Sequence, residues 1–522
     1  MKNAEEIALH FKDEVLRRHP TMSSNLGIKD YDHLWPDLSK QGVEGDIQLM
    51  KEILGELNGS GDSEDKELLK WFIEIGLYEL ETLEFWKYAP NLAGTIISGL
   101  NGLLTRSGEN SEAIQKRLDT AHPMVTQVTS RVERPVKLWV EAEQRTLNSL
   151  FQFLKNLEFQ SDRLEKELKV YEQWLNNVDT MTQLPLDSLK FQGLIEMRRL
   201  GLTLDEIRSL GEEYLESTEV ELKELVQKLG GSSVEEVRRR IRSKHPKDFN
   251  EALEGYKTLA LKARKFLLEK DIITLPEERL DVIFSYPHMR QFLSIAAAGM
   301  PPRFGEQIGK FYLTPHEDSK MLEEHSYAFQ PLLISHESYP GHHLHGACRN
   351  THPSIIRSGI YSSLSANTAV MYSCKLGDIT EGWGLYCERM MYENGFENDP
   401  KNPDLEQRFL QVNALRWRAT RVIIDIALHS SEMSYKEAVN YLVENTGYNE
   451  MTARSEVLMY SRSPGYFMSY LLGSHMMREL REASGLPLKV FHDKVVYSGA
   501  IPLWFLRDCV LHEILVERKS TQ

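Results

Sequence analysis

The chain contains the stretch Ser335-His336-Glu337-Ser338-Tyr339-Pro340-Gly341-His342-His343, which directly follows a largely apolar run over 329–334. Neutral imidazoles bind zinc at about 2.0–2.1 Å, and a carboxylate beside one ligand can take a proton from a metal-activated water. Three histidines and a glutamate so close together therefore predict a zinc site, with His336 as a ligand and Glu337 as the general base.

The spacing of these histidines departs from the common zinc pattern, in which two histidines stand four residues apart on one helix face. Here Pro340 occupies that position, and the candidate second ligands are His342 and His343. On an unbroken helix His342 would face about 120° away from His336, and His343 would lie about 10 Å further along the axis. Because Pro340 cannot donate to the carbonyl of His336 and Gly341 tolerates unusual backbone angles, we expect a two-residue bulge. The bulge favours His342, which needs the smaller displacement, with His343 as the alternative.

A polar helix end with hydrogen-bonded histidines is the alternative to a metal site. Pairs of His and Glu arise easily by chance, since this chain also has them at 316–317 and 512–513, where no suitably placed histidine follows. The metal interpretation therefore depends on ligands elsewhere in the chain.

A third ligand is expected in a helix predicted over 377–392. Glu381 and Glu388 are seven residues apart there and share one helix face. Either carboxylate can complete two histidines and leave one position of a catalytic zinc for water. A surface carboxylate pair is the alternative, which the neighbouring Trp383 and Tyr386 disfavour.

A helix predicted over 415–429 carries candidate substrate-binding residues. Arg421 and His429 fall near one face, and Asp425 can orient Arg421 through a pair four residues apart. The guanidinium is suited to bidentate contact with a peptide carboxylate. A structural ion pair between helices is the alternative.

Two tyrosines follow the Pro-Gly break at 464–465 and stand about one helical turn apart. The hydroxyls of Tyr466 and Tyr470 can donate to an oxyanion bound at a metal. Tyrosines at this spacing are also typical of a helix that packs into a core, which is the alternative.

Length, charge and cysteine usage exclude several classes of protein. A formal net charge of −15 over 522 residues argues against nucleic-acid binding, which calls for a basic face. No apolar stretch approaches the roughly 20 residues of a membrane span, and the first residues lack the apolar region of a signal peptide. The four cysteines have no close paired spacing and are typical of free thiols in a reducing compartment. We therefore expect a cytoplasmic protein that binds neither nucleic acid nor membrane.

The pattern along the chain predicts a mainly α fold. Apolar residues recur at helical spacing over 1–270. Capping boxes mark helix starts at three places: Thr203 with Glu206, Ser233 with Glu236, and Ser434 with Glu437. Short strands are predicted over 281–286 and 309–314, just before the zinc stretch. We expect them to form a small antiparallel sheet whose edge can accept an extended peptide. The alternative is that this segment only connects the helices on either side. We expect a helical lobe over 1–270 and a catalytic lobe over 271–522, joined in one continuous unit.

These motifs resemble a large bacterial family, domain of unknown function 885, which is grouped with the zinc metallopeptidases. The matching pieces are 336–343, 381–386, Pro464-Gly465, Ser469-Tyr470 and Gly473. The stretch over 464–473 is also similar to a segment of Taq-type carboxypeptidases and, more loosely, to oligopeptidases and angiotensin-converting enzyme. The resemblance implies a two-lobed helical molecule with a deep channel over the zinc. It also implies Glu381 as third ligand and a tyrosine as oxyanion donor.

Together, these observations predict a peptidase with one zinc ion per chain, held by His336, His342 and Glu381. Glu337 is the expected base and proton shuttle, and Tyr470, or failing that Tyr466, the oxyanion donor. Short peptides are the expected substrates because a channel excludes folded proteins, and the carboxypeptidase-like segment favours cleavage from the C-terminus. A zinc amidase acting on a non-peptide substrate and an inactive helical binding scaffold are the two alternatives.

Overall fold

The computed structural model describes residues 2–106, 110–290, 293, 295–365 and 370–521, and its architecture is mainly α-helical, as predicted. The helices before the sheet are α1 (Ala4–Arg18), α2 (Pro20–Asn25), α3 (Lys40–Asn58), α4 (Glu64–Tyr78), α5 (Leu92–Leu104), α6 (Ser111–Thr120), α7 (Pro123–Arg131), α8 (Lys137–Lys155), α9 (Asp162–Asn177), α10 (Ser188–Met197), α11 (Leu204–Lys228), α12 (Val234–Arg242) and α13 (Phe249–Glu269). Those after it are α14 (Gln330–Glu337), α15 (His342–Arg349), α16 (Gly377–Glu393), α17 (Leu405–His429), α18 (Tyr435–Thr446), α19 (Glu450–Ser461), α20 (Ser469–Ser484), α21 (Leu488–Val496), α22 (Leu503–Phe505) and α23 (His512–Thr521). Among the described residues, none of these helices has both the length and the apolar character that a membrane crossing needs.

Side-chain caps determine where several of these helices begin, because the first backbone N–H groups of a helix lack partners within it. Two of the three predicted capping boxes form in full, those that start at Thr203 and Ser434. At Ser233 the hydroxyl accepts from the N–H of Glu236, whereas the Glu236 carboxylate accepts from the N–H of Ser232. The polar residues that the sequence marks as helix starts therefore act as caps in the structure.

The sheet has three strands, β1 (Arg279–Phe284), β2 (Ala296–Gly299) and β3 (Ile308–Leu313), in the order β1-β3-β2. β1 runs parallel to β3, from Arg279 opposite Ile308 to Phe284 opposite Leu313. β2 runs antiparallel to β3 and forms an edge of the sheet.

The predicted antiparallel pairing of the two strands was wrong, because β2 lies between them in the sequence. The chain reverses direction once into β2 and again into β3, so β1 and β3 point the same way. The sequence gives little sign of β2, since Ala296-Ala297-Ala298-Gly299 lacks the β-branched and aromatic residues that favour strands.

The largest hydrophobic core cluster draws on both predicted lobes. It contains side chains of α4 such as Trp71, the strand residue Phe311, the α16 residue Trp383 and the α20 residue Leu472, all of them buried. A second cluster, between Leu38 and Leu175, belongs to the first predicted lobe alone. The division at residue 270 stays a prediction.

α16 and α20 lie in backbone contact at Gly382 and Gly473. A Cβ on Gly382 would overlap the backbone of Gly473, and a Cβ on Gly473 would overlap the carbonyl oxygen of Asp378. Only glycine permits so close an approach. The contact fixes the two helices that carry Glu381 and Tyr470 directly against each other.

Candidate metal centre

The zinc stretch forms the end of one helix and the start of the next. α14 ends at Glu337, and α15 begins at His342. The predicted two-residue bulge within one helix was therefore wrong, because the backbone leaves the helical conformation altogether at Ser338 and Gly341. Gly341 lies so close to the preceding turn that a Cβ there would overlap the carbonyl oxygen of His336.

This break brings His342 next to His336. The two ring centroids are 4.7 Å apart, with the ring planes nearly perpendicular. The Nε2 atoms of His336 and His342 lie 3.7 Å and 3.4 Å from Oε2 of Glu381 on α16. His336 and Glu381 are buried, while His342 is half-buried. Three candidate ligands from three helices thus converge on one point.

The spacing of these atoms suits a zinc ion. Ligands at about 2.0–2.1 Å in a tetrahedral arrangement stand about 3.3 Å from one another, close to both observed separations from Glu381. Glu337 belongs to the same group, since one ligand atom from each of His336, Glu337 and His342 lies within 4.8 Å of the others. Glu381 is the better third ligand, because its Oε2 faces the Nε2 atoms of both imidazoles.

A hydrogen bond anchors Glu337 to the sheet. Its Oε2 accepts from the backbone N–H of Ala298 in β2 at 2.9 Å. Glu337 is half-buried and keeps its second oxygen for another partner. A carboxylate beside the ligands but tied to a strand has the position expected of a general base.

His343 faces away from this cluster. Its Nε2 donates to Oε2 of Glu278 at 2.7 Å, and the side chains of His343 and Glu278 are fully buried. Glu278 also accepts from the hydroxyl of Tyr339 and pairs with Arg264 at 3.1 Å. Burial raises the pKa of Glu278, but the hydrogen bonds from His343 and Tyr339 outweigh it and leave the pKa below its usual value. His343 therefore belongs to a buried structural network.

Carboxylates around His336 favour a positive charge at the cluster. Nδ1 of His336 bonds Oε1 of Glu388 at 2.8 Å. Burial lowers the pKa of His336, but the hydrogen bonds with Glu381 and Glu388 outweigh it and raise the pKa to about 10. Burial raises the pKa of Glu381, yet the charges and hydrogen bonds of His342 and His336 hold it well below its usual value. The donor set therefore suits a cation, with Glu388 in the place of a carboxylate that orients a histidine ligand.

The two predicted tyrosines lie at the cluster in different roles. Tyr466 donates to Oε1 of Glu381 at 2.6 Å. The ring of Tyr470 stacks near His336 with centroids 6.4 Å apart, and among the described residues its hydroxyl has no hydrogen-bond partner. The Tyr470 hydroxyl is thus the one available to a ligand.

The two predicted substrate-binding residues have structural partners instead. Arg421 is buried and pairs with Glu456 at 3.1 Å and with the hydroxyl of Tyr460 at 3.1 Å. His429 is fully buried and bonds Asp425 at 2.8 Å, so Asp425 does not orient Arg421 as predicted. A substrate carboxylate would have to displace these buried pairs. The structural ion pair, which was the alternative, is what forms, and substrate binding by Arg421 and His429 stays a prediction.

A cavity of about 1430 Å³ lies beside the metal cluster. The described residues that line it do not include the three candidate ligands or Glu337. Two of the lining residues, Ala298 and Tyr372, nevertheless contact side chains at the cluster. Ala298 binds Glu337, and the ring of Tyr372 stacks on Tyr466 at 5.0 Å. The cavity is therefore adjacent to the cluster, and Ala298 and Tyr372 belong to the wall between them.

Two features of the candidate site and its cavity were not predicted from the sequence. The backbone N–H of Ala298 carries no sequence signal, because any residue other than proline supplies it. Arg349 also lines the cavity. It follows His342 by seven residues, so the two share one face of α15, and this spacing could have indicated that Arg349 lies on the same side of the helix as the candidate ligand.

The fold and the cluster define a mainly α-helical protein with a candidate metal centre of two histidines and a carboxylate. The family model described as bacterial protein of unknown function (DUF885) matches residues 191–510, and the chain belongs to this family. The predicted family is thereby confirmed. Its grouping with metallopeptidases stays a proposal, because the family description names no activity. No curated protein matches the chain.

Two solved structures share the fold over nearly the whole chain. One is a candidate lipoprotein of unknown function from Shewanella oneidensis, with 16% identity and a TM-score of 0.77, covering 98% of this chain and 100% of that one. The other is a candidate lipoprotein from Colwellia psychrerythraea, with 15% identity and a TM-score of 0.76, covering 100% of both chains. At this identity the likeness concerns the fold alone.

Proposed function

We propose that this protein is a zinc-dependent peptidase that hydrolyses short peptides. The observation that carries the proposal is the convergence of His336, His342 and Glu381, with the carboxylate of Glu337 beside them and the ring of Tyr470 at 6.4 Å from that of His336. His336, His342 and Glu381 would hold the zinc ion. When bound, zinc supplies Lewis acidity that polarises a carbonyl and lowers the pKa of water.

The protein's own groups have separate tasks in this reaction. Glu337 takes a proton from the attacking water and passes it to the leaving amine, while the N–H of Ala298 keeps the carboxylate in place. Tyr470 donates its hydroxyl hydrogen to the developing oxyanion. Glu388 holds Nδ1 of His336, so that Nε2 faces Glu381.

The proposed peptide substrate fits the sheet and the cavity. β2 is an edge strand, and Ala297, Ala298 and Gly299 line the cavity. An extended peptide can add to such an edge through backbone hydrogen bonds. A cavity of about 1430 Å³ admits a short peptide and excludes a folded protein.

The test combines metal content with peptide cleavage. After zinc is supplied, we expect about one zinc per chain in the parent and in His343→Ala, and loss of zinc in His336→Ala and His342→Ala. Glu337→Gln should keep the zinc but lose cleavage of a mixed-peptide digest by about 10²–10⁴-fold. His343→Ala is the matched control, because it removes an adjacent histidine outside the cluster. A parent protein that binds no zinc and cleaves no peptide would overturn the proposal and favour the scaffold, while zinc with cleavage of non-peptide amides alone would favour the amidase.

A further inference from the structure

The cavity wall is cationic although the chain is acidic. Six basic side chains and two carboxylates line it among the described residues, whereas the whole chain has a formal net charge of −15. The basic residues are Lys29, Arg106, Arg303, Lys310, Arg349 and Arg462, and the carboxylates are Glu143 and Glu306. A concave surface with one sign of charge attracts ligands of the opposite sign.

Arg349 is a half-buried member of this set with no described counter-charge beside it. Arg106 pairs with Asp32, and the charge of Glu143 acts on Arg462. The half-buried Arg349 has no hydrogen bond or ion pair with any described residue. Burial lowers its pKa, and the nearby positive charge of Arg303 lowers it further. Since a partly buried cation is stable when an anion faces it, Arg349 presents an open site for one.

The position of Arg349 relates this site to the metal cluster. It ends α15, which begins at His342. Seven residues bring a helical side chain back to nearly the same face, about 10 Å along the axis. An extended peptide rises about 3.3 Å per residue, so this separation along the axis corresponds to about three peptide residues.

We infer that Arg349 binds a carboxylate of the substrate, about three residues from the bond that is cleaved. The carboxylate belongs either to the C-terminus of the peptide or to an acidic side chain, and the planar guanidinium can contact both of its oxygens. This assignment rests on the proposed peptidase function and gives it a substrate class, namely anionic short peptides. It also places the carboxylate-binding arginine at 349, where the sequence analysis had placed it at 421.

Binding to zinc-loaded Glu337→Gln protein tests this assignment without turnover. The probes are a tetra-alanine peptide with a free C-terminus, its C-terminal amide, and amides carrying one glutamate at each position, titrated by calorimetry. We expect the free acid or one glutamate amide to bind about tenfold more tightly than the neutral amide. Preference for the free acid identifies the C-terminal carboxylate, and preference for one glutamate amide identifies a side chain.

Substitutions at Arg349 and Lys29 show which cationic side chain causes the preference for a carboxylate-bearing peptide. In the same background, Arg349→Gln should abolish it, and Arg349→Lys, which keeps the charge but not the planar fork, should retain part of it. Lys29→Gln is the matched control, because it removes an exposed charge from the same cavity and should leave the preference intact. Unfolding temperature and zinc content verify that each variant is folded.

The outcomes separate this inference from the proposed function. A carboxylate preference that survives in Arg349→Gln, or the lack of any preference, overturns the Arg349 site even if the parent cleaves peptides. Arg349-dependent binding in a protein whose parent cleaves no peptide supports the site and overturns the peptidase.

Discussion

Tyr466 and Tyr470 show how two like residues one helical turn apart acquire different chemistry. The hydroxyl of Tyr466 is held by Glu381 at 2.6 Å, while that of Tyr470 has no described partner. The guanidinium groups of Arg421 and Arg418 lie 4.8 Å and 5.9 Å from the Tyr470 ring centroid. Burial and the negative charge of Glu381 raise the pKa of Tyr470 well above its usual value, although the charges of the two arginines lower it. Tyr470 is therefore a neutral hydrogen-bond donor near the metal cluster.

Replacing each tyrosine by phenylalanine should separate the two roles. Tyr470→Phe removes the proposed oxyanion donor, so we expect kcat for peptide cleavage to fall about 10²–10³-fold with zinc affinity unchanged. Tyr466→Phe removes the hydrogen bond that orients Glu381, so we expect zinc affinity to fall about 10-fold or more. Steady-state kinetics and zinc competition with a chelator measure the two effects. Equal kinetic losses in both variants, with unchanged zinc affinity, would contradict the assignment.

Much of the candidate cluster was predictable from the sequence because its residues are close along the chain or share a helix face. His336, Glu337 and His342 are such a group. Helix periodicity left Glu381 and Glu388 both open as the third ligand, and the family resemblance implied Glu381. The partner of His343 was not predictable, since Glu278 lies before the sheet and only the folded chain brings them together. The ion pair of Arg421 was not predictable for the same reason, because its partner Glu456 lies on a different helix, α19.

At the scale of elements, the junction between α14 and α15 determines the geometry of the cluster. The sequence predicted that Pro340 and Gly341 disturb the helix, which is the effect of their missing N–H and missing Cβ. It did not predict that two separate helices result. That outcome depends on the packing of α15 beside α16 and the sheet, and the local sequence carries no information about this packing.

Gly341→Ala tests the junction. The added Cβ would overlap the carbonyl oxygen of His336, so we expect the junction to shift, with loss of zinc binding and about 1–3 kcal/mol of unfolding free energy. Gly55→Ala in α3 is the matched control, because its Cβ meets nothing within 4 Å and should stabilise the helix by about 0.5–1 kcal/mol. Urea unfolding and zinc content measure both. Normal zinc binding in Gly341→Ala would contradict the requirement for glycine.

At the scale of the molecule, buried histidines outside the candidate metal centre should make stability depend on pH, and His19, His325 and His492 are three of them. Burial and the charges of Arg18 and Lys375 lower the pKa of His19 to about 3. Burial lowers the pKa of both His325 and His492 to about 4. The unfolded chain takes up protons near pH 6.5, whereas the folded protein resists them to pH 4 or below.

The free energy of unfolding should therefore be largest above pH 6.5 and fall as pH decreases toward 4. Each of the three histidines contributes a loss of about 1.4 kcal/mol per pH unit in that range. Urea unfolding at pH 7, 6 and 5 measures the slope. His19→Leu should reduce it by about one histidine's share, and substitution of the exposed His33 by Gln should not. A stability that is constant between pH 7 and 5 would contradict the prediction.

The extent of the core across the chain was only partly predictable. Helical periodicity indicated which faces are apolar, and the buried residues of α4 and α16 agree with that pattern. Which faces meet is determined by long-range packing, so the large cluster that includes both Trp71 and Trp383 had no local signal. The predicted cytoplasmic location and the two-lobed division stay predictions.

The glycine contact between α16 and α20 also bears on how fast a site built on these helices can respond to a ligand. Two helices in direct backbone contact at Gly382 and Gly473 have almost no freedom to slide or separate, because interiors packed this closely resist compression and expansion. The Glu381 carboxylate and the Tyr470 hydroxyl are therefore positioned when the chain folds. If the proposed peptidase function holds, reorganisation during the reaction is then limited to the solvent and the substrate.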